Sequence, residues 1–306
     1  MNTPSDQSAH LSLLREVHRC FSSAGTADDI GTALPWFTLI RRSAPTPTGR
    51  GMLQPSMCLI VQGHKEMLVG DRVLHYGPGQ YVQTGVAMPV AGRIIHATAT
   101  EPYYGLRVDL DPREIAAFML EMDLPSLSEG GDGSIVTVHS ASEALTDAFL
   151  RLLRLFERPG DLPVLGRLIK QEIMYHLLTG PGGLSLRRAV AGGHQEQAVS
   201  RAISWIREHY DEPLRIAKLA QVVHLSPSVL HRRFKTATIM SPLQYQKQVR
   251  LLEARRRLMS GDQEAATVAY QVGYESPSQF SREYRRLFGA TPLQDAQQLR
   301  SHALDP

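Results

Sequence analysis

Only two cysteines, Cys20 and Cys58, stand in the 306 residues, too few for a disulfide framework or a cysteine-ligated zinc cluster. A zinc finger is thereby excluded. No apolar run approaches the roughly 18 residues that a bilayer span requires. The first 30 residues have neither the basic start nor the apolar stretch of a secretory signal. A cytoplasmic protein with no membrane partner is the expectation. Nor is the composition that of a disordered or fibrous chain: 42% of residues are hydrophobic and 21% charged, which suits ordinary globular packing. The length exceeds a usual single domain of roughly 100 to 200 residues, so two domains, each with a core, are expected.

What charge there is lies unevenly. Residues 197–306 carry 16 Lys/Arg against 10 Asp/Glu, whereas residues 1–196 carry 17 against 20. A basic C-terminal third favours a polyanionic partner, although many basic surfaces are merely solvated.

Along the chain, Leu11, Leu14, Val17 and Phe21 recur at helical spacing. From Trp36 to Asp109 the pattern changes to short β-prone runs broken by glycine turns such as Gly70-Asp71 and Gly77-Pro78-Gly79, which suggests a small barrel or sandwich. Asp111-Pro112-Arg113-Glu114 opens a helix with an N-cap, a proline at the first position and an acid at the third. Two longer helices are predicted over Ser142 to Phe156 and Pro163 to Leu178. Their apolar faces (Leu145, Phe149, Leu152, Leu153, Phe156; Leu165, Leu168, Ile169, Ile173, Leu177) suit packing on the barrel or on a second copy in a homodimer. Glycines at 180, 182, 183, 192 and 193 bracket a stretch of little periodicity, read as an interdomain linker over 181–197. The expected division is therefore 1–180, a linker, and an all-α domain over 198–300.

That last domain repeats itself at an offset of 50 residues. Gln221-Val222 returns as Gln271-Val272, Ser226-Pro227-Ser228 as Ser276-Pro277-Ser278, Arg232 as Arg282, and Pro242-Leu243-Gln244 as Pro292-Leu293-Gln294. One supersecondary unit is used twice. In the first copy Ile216, Leu219, Ala220 and Val223 make the buried stripe of a short helix, and Ser226 and Pro227 open the next. That second helix turns Leu230 and Phe234 inward and Ser228, His231 and Arg232 outward. In the second copy Phe280, Tyr284 and Leu287 point inward, and Ser278, Ser281 and Arg282 outward. Such units, over about 215–236 and 263–286, have the grammar of helix-turn-helix motifs. Their outward helices suit a DNA major groove. A helix from Ser241-Pro242 to about Met259 spans roughly 27 Å. With the width of the flanking units it sets the two outward faces about one DNA turn, roughly 34 Å, apart.

The segments Ser241–Leu258 and Val272–Pro292 resemble the DNA-binding domain of the AraC/XylS family of transcription regulators, and the resemblance covers residues 198–300. Met240 stands where that family usually has glycine, Asp295 where it has tyrosine, and Ala296 where it has arginine. Residues 36–122, chiefly Pro55–Lys65 and Tyr76–Tyr81, resemble the cupin-like N-terminal domain of one AraC-type subgroup. The resemblance implies an α+β fold: a cupin-like β-barrel with helices, followed by two helix-turn-helix units joined by a long helix. It also implies a regulator that reads double-stranded promoter DNA, answers to a small-molecule effector, works with RNA polymerase, and favours activation over repression.

Each candidate residue has a plain alternative. Arg232 and Arg282 could form bidentate bonds to guanine O6 and N7, or contact phosphate, or pair with a neighbouring Glu. His231 could meet a base edge or face solvent. Ser228, Ser278 and Ser281 are small enough to let a helix approach DNA, and are equally read as solvent-facing serines. Lys235, Arg285 and Arg286 are placed for backbone contact, whereas Arg255, Arg256 and Arg257 read as a solvated basic run. Ser226, Ser276, Ser241 and Thr291 read as helix caps. In the N-terminal part His64, His75 and His96 invite a metal reading, but no His-x-His pair occurs there, so no metal, cofactor or catalytic residue is assigned. Cys58 reads as a buried, inert thiol. Trp36, Tyr81 and Tyr104 read as core rather than ligand pocket, and effector-binding residues stay unassigned. Two rival functions remain, a cupin-type metalloenzyme and a DNA-modifying protein using Cys58, each tethered by the DNA-binding domain.

Overall fold

The computed structural model describes residues 4–24, 28–122, 135–191, 197–260 and 263–304. Two compact units divide the chain, residues 1–49 with 53–197 and residues 198–306 with 50–52. No helix among the described residues is long and apolar enough to cross a membrane.

In the first unit α1 (Pro4–Ala24) is followed by β1 (Asp29–Gly31), β2 (Phe37–Arg42), β3 (Gly49–Leu53), β4 (Ser56–Gln62), β5 (His64–Val69), β6 (Arg72–Tyr76), β7 (Gln80–Thr84), β8 (Met88–His96) and β9 (Tyr103–Asp109). Then come α2 (Pro112–Glu121), β10 (Thr137–Ser140), α3 (Glu143–Leu155), a π-helical turn Leu162–Gly166, α4 (Arg167–Thr179) and α5 (Gly183–Ala191). The strands form two open sheets, ordered β1-β2-β9-β4-β7-β10 and β3-β8-β5-β6. The α+β class is as expected, and the strands of the expected cupin-like barrel lie in this pair of sheets, open rather than closed.

Alternation along the strands decides the core. Phe37 and Leu39 of β2, Met57, Leu59 and Val61 of β4, and Leu106 and Val108 of β9 share one sheet face. There they meet Leu13, Val17 and Phe21 of α1, Phe149 and Leu152 of α3, and Ile169, Ile173 and Leu177 of α4 in one cluster. On the opposite face Cys58 lies across from Val82 and Arg107. Both faces of β4 are covered, which is why Met57 to Val61 reads as an unbroken apolar run. α3 opens as expected, with the Ser142 hydroxyl accepting from the Leu145 amide at 3.2 Å. Two helix assignments shift. Leu11 is 53% exposed while Leu13 is buried, because Leu13, Leu14, Val17 and Phe21 share an arc that Leu11 falls outside. Leu165 and Leu168 are also exposed, so only Ile169, Ile173 and Leu177 of that stripe face the core.

The expected linker is partly structured. Residues 183–191 form α5, and Leu186 is buried in the same core cluster. The segment is too short to show a helical period, while Gly182 lets the turn before it lie close against β7, where Gln83 Nε2 donates to the Gly182 carbonyl at 2.7 Å. The remainder, 192–196, falls outside the described residues.

Apart from residues 50–52 of β3, the elements of the second unit are helices: α6 (Gln197–Glu208), α7 (Ile216–Val222), α8 (Pro227–Thr238), α9 (Pro242–Ser260), α10 (Ala265–Gln271), α11 (Pro277–Phe288) and α12 (Pro292–Leu304). Leu219, Ala220, Val223, Leu230 and Phe234 are buried as the periodicity predicts, and Val268, Ala269, Val272, Phe280 and Tyr284 repeat the arrangement around Leu251, Ala254 and Leu258 of α9.

Candidate nucleic-acid interface

The two helix-turn-helix copies do not superpose at one constant offset. In the first turn the amides of His224 and Leu225 donate to the Gln221 and Ala220 carbonyls, and in the second those of Gly273 and Tyr274 donate to the Tyr270 and Ala269 carbonyls. The offset there is 49 residues. It becomes 50 from Ser226 and Ser276 onward, so the second turn carries one extra residue, Glu275. The apparent match of Gln221-Val222 with Gln271-Val272 is therefore a coincidence of letters: Val222 is exposed while Val272 is buried. Backbone dihedrals agree with the corrected register, since His224 (φ 57°) answers Gly273 (φ 87°) in the left-handed region.

α8 and α11 are built alike. Ser226 and Ser276 cap them, each hydroxyl accepting at 3.4 Å from the amide of Val229 or Gln279. Each is 12 residues long with proline in its first turn, and each ends at a left-handed residue, Ile239 or Gly289. Leu230 and Phe234, and Phe280 and Tyr284, bolt the inward faces to the unit. Spacings of three and four residues then gather Ser228, His231, Arg232 and Lys235 on one outward face and Ser278, Ser281, Arg282 and Arg285 on the other, with Arg286 beside it. All of these are exposed except Ser281, which is half-buried. None of the cationic side chains at 232, 235, 282, 285 and 286 forms an ion pair among the described residues.

Other arginines of the unit are spent internally. Arg255, expected on a solvated face, instead makes a two-pronged pair with Asp295 at 2.8 and 2.9 Å and stacks over Phe288. Tyr284 donates to the same carboxylate at 2.7 Å. Burial, with that bond next, pushes the Tyr284 phenol well above its ordinary value. Asp295 and Ala296, the departures from the family pattern in the last helix, are both buried. Arg256 and Arg257 pair with Glu253, whose carboxyl they hold below its ordinary range. Arg250 donates to the carbonyls of Tyr210, Gly273 and Glu212 at 2.6, 2.7 and 2.8 Å, and Gln246 also reaches those of Tyr210 and Glu212. These bonds tie the turn before the first copy to α9 and to the turn inside the second. Sequence reading missed Arg250 and Gln246, whose partners are backbone oxygens that leave no residue-type signature. Met240, where glycine is usual, is buried in a turn that the Thr238 hydroxyl organises, donating to the Phe234 carbonyl at 2.7 Å and accepting from the Met240 amide at 3.2 Å.

The candidates of the first unit do not converge. His64 and His96 face each other across β5 and β8 with ring centroids 5.8 Å apart, whereas His75 pairs with Glu66; all three are exposed. No cluster of three metal-ligating side chains occurs among the described residues. Cys58 is 8% exposed, and burial pushes its thiol up, away from the reactive thiolate. Tyr81 and Tyr104 are core residues. Trp36 is half-buried and lines a cleft of about 500 Å³ with Pro35, Pro55, Leu110, Glu114 and Lys170. The buried Lys170 ammonium lies 5.3 Å over the indole and pairs with Glu114.

Comparison with known proteins matches both units. Residues 33–185, half of the chain, match the N-terminus of AraC-type transcriptional regulators, and residues 219–298 match a helix-turn-helix domain. The transcriptional activator RhaS of Pectobacterium carotovorum is 34% identical over 102 residues, 33% of this chain and 37% of that protein. RhaS of Salmonella schwarzengrund is 28% identical over 169 residues, 54% of this chain and 59% of its own length. The chain thus spans less than two thirds of either relative. Among solved structures, ToxT from Vibrio cholerae O395 shares the fold with a TM-score of 0.52 at 9% identity, covering 86% of this chain and 97% of ToxT. A further ToxT structure, bound to (E)-4-(8-methylnaphthalen-1-yl)but-3-enoic acid, also has a TM-score of 0.52, at 10% identity, with 86% and 98% covered. With a helix-turn-helix unit used twice and an N-terminal half that matches the family along its sheets and helices, the chain belongs to the AraC/XylS family of transcriptional regulators.

Proposed function

We propose that the second unit binds double-stranded promoter DNA with α8 and α11 in successive major-groove segments, and that the first unit makes this binding answer to a small-molecule effector. The observation that carries the reading is the contrast in cation use. Arg250, Arg255 and Arg257 are consumed by internal partners, whereas Arg232, Lys235, Arg282, Arg285 and Arg286 stand exposed on two matching helix faces. Phosphate contacts from Lys235, Arg285 and Arg286 supply affinity, and Arg232 and Arg282 supply sequence choice. The effector's place in this reading is the cleft beside Trp36 and Lys170, whose size falls within the range of small-molecule sites. It acts by favouring one arrangement of the chain over another. Recruitment of RNA polymerase, transcription activation, a cytoplasmic location and the lack of a catalytic role belong to the same proposal.

The experiment is a titration of labelled duplex with the full chain over a series of salt concentrations. Binding should weaken with salt, and replacing Lys235, Arg285 or Arg286 by Ala should lower affinity on all sequences while reducing the salt slope by about 1 each. Salt-insensitive binding, or unchanged binding by all three variants, refutes the placement.

A further inference from the structure

α8 and α11 are copies in what they present as well as in how they are held. Their caps, their length, their closing left-handed residues and their buried anchors coincide at the 50-residue offset. Each outward position of one helix therefore has a counterpart at the same height and rotation on the other. Serine answers serine at 228 and 278, arginine answers arginine at 232 and 282, and a cation answers a cation at 235 and 285. Even the turn that follows matches, with Leu243 and Leu293 exposed at the same place. The face differs in kind at its centre at His231 against Ser281, and at its edge at Thr236 against Arg286 and Val229 against Gln279. Gln279 is exposed, and one N–H of its amide reaches Glu283 at 3.4 Å.

Resting on the DNA reading above, we infer that the operator consists of two like segments about 10 base pairs apart centre to centre, each with a guanine at the same place beneath Arg232 or Arg282, and that the unlike pairs, 231 against 281 foremost, decide where they differ. Arginine's fork matches the O6 and N7 acceptors of guanine and of no other base. Two arginines held at equivalent points of equivalent helices therefore ask for the same base. Imidazole reaches further than a serine hydroxyl and bonds a base edge as donor or acceptor. The segment under His231 consequently carries one more specified base pair than the segment under Ser281. Two unrelated half-segments would require faces unlike at the arginine position, and there the helices agree.

The test is selection from random duplex DNA by the full chain near physiological salt, followed by sequencing. The expected result is two guanine-containing segments of like sequence, one helical turn apart. Arg232→Ala should erase the guanine preference, about 5- to 150-fold, in one segment, and Arg282→Ala in the other. His231→Ser should remove the extra specified base from the Arg232 segment alone and leave its guanine. All three side chains lie on the surface, so the variants should retain the wild-type fold, checked by circular dichroism and retained non-specific binding. Two unlike segments, a single segment, or loss spread evenly over all sequences in both arginine variants overturns the inference while leaving DNA binding intact. Selection of nothing by the wild-type chain overturns the DNA reading and this inference with it.

Discussion

Replacing Asp295 by Ala removes a carboxylate that is 5% exposed and holds two groups at once. Arg255 would lose both prongs of its pair and Tyr284 its acceptor at 2.7 Å. Breaking a buried ion pair from one side costs about 3 to 5 kcal/mol, mostly for the charge left behind. Here the Arg255 side chain keeps 21% of its exposure and its stacking on Phe288, which moves the expectation to the lower end. The orphaned Tyr284 hydroxyl adds about 1 to 3 kcal/mol. A loss of about 4 to 6 kcal/mol for the second unit is therefore expected. Replacing both partners, Arg255→Met with Asp295→Leu, should recover most of it, because no uncompensated charge remains.

Native-state hydrogen exchange of the full chain is the suitable assay. It reads the amides of α9, α11 and α12 separately from those of the first unit. Asp295→Ala should weaken protection across all three helices, and the double variant should restore it. Protection within about 0.5 kcal/mol of wild type in the single variant would mean the pair is energetically silent. A double variant no better than the single would locate the loss in packing instead of charge.

Other outcomes follow from the same unit. Gly273→Ala should destabilise it by more than about 1 to 2 kcal/mol, because a methyl group at φ 87° would run into the Asp211 carbonyl, whereas His224→Gly at the equivalent place should stabilise by up to about 1 kcal/mol; urea denaturation checks the opposite signs. Phe280→Ala should cost about 3 to 5 kcal/mol, visible as a lowered melting temperature, and a near-wild-type melt would contradict its buried place. The phenols of Tyr245, Tyr274 and Tyr284 are all pushed above their ordinary value of 10.0 by burial, the latter two also by carboxylate bonds. Their contribution to stability is thus complete below pH 10 and declines as pH rises beyond it. Tyrosinate absorbance and loss of helical signal should accordingly rise together above that pH; independent titration in a folded chain would refute the assignment.

The double helix-turn-helix was legible because it rests on local rules that residue types carry: a capping serine, a proline in the first turn, inward apolar residues three and four apart. What escaped was set by partners distant in sequence. Asp295 reads as a surface acid on a surface helix until Arg255 and Tyr284 close around it, and Arg250 gives no sign that its partners are three carbonyl oxygens. The repeat shows the limit most clearly. Matching letters put Gln221-Val222 on Gln271-Val272, yet burial and turn hydrogen bonds move the alignment by one residue before the turn and leave it unchanged after. A turn can absorb an extra Glu275 because the constraint is on where helices start, not on how many residues lie between them. The first unit was less legible for a related reason: β1 and β10 are three and four residues long, too short for alternation to register, and whether sheets close into a barrel depends on edge pairing that no single strand encodes. The reading faces escape this limit because every outward residue on α8 and α11 is fixed by its own helix, and the capping serines set its height. The shared arginine position of the two faces therefore follows from local geometry, and the one-residue shift before the turn leaves it untouched.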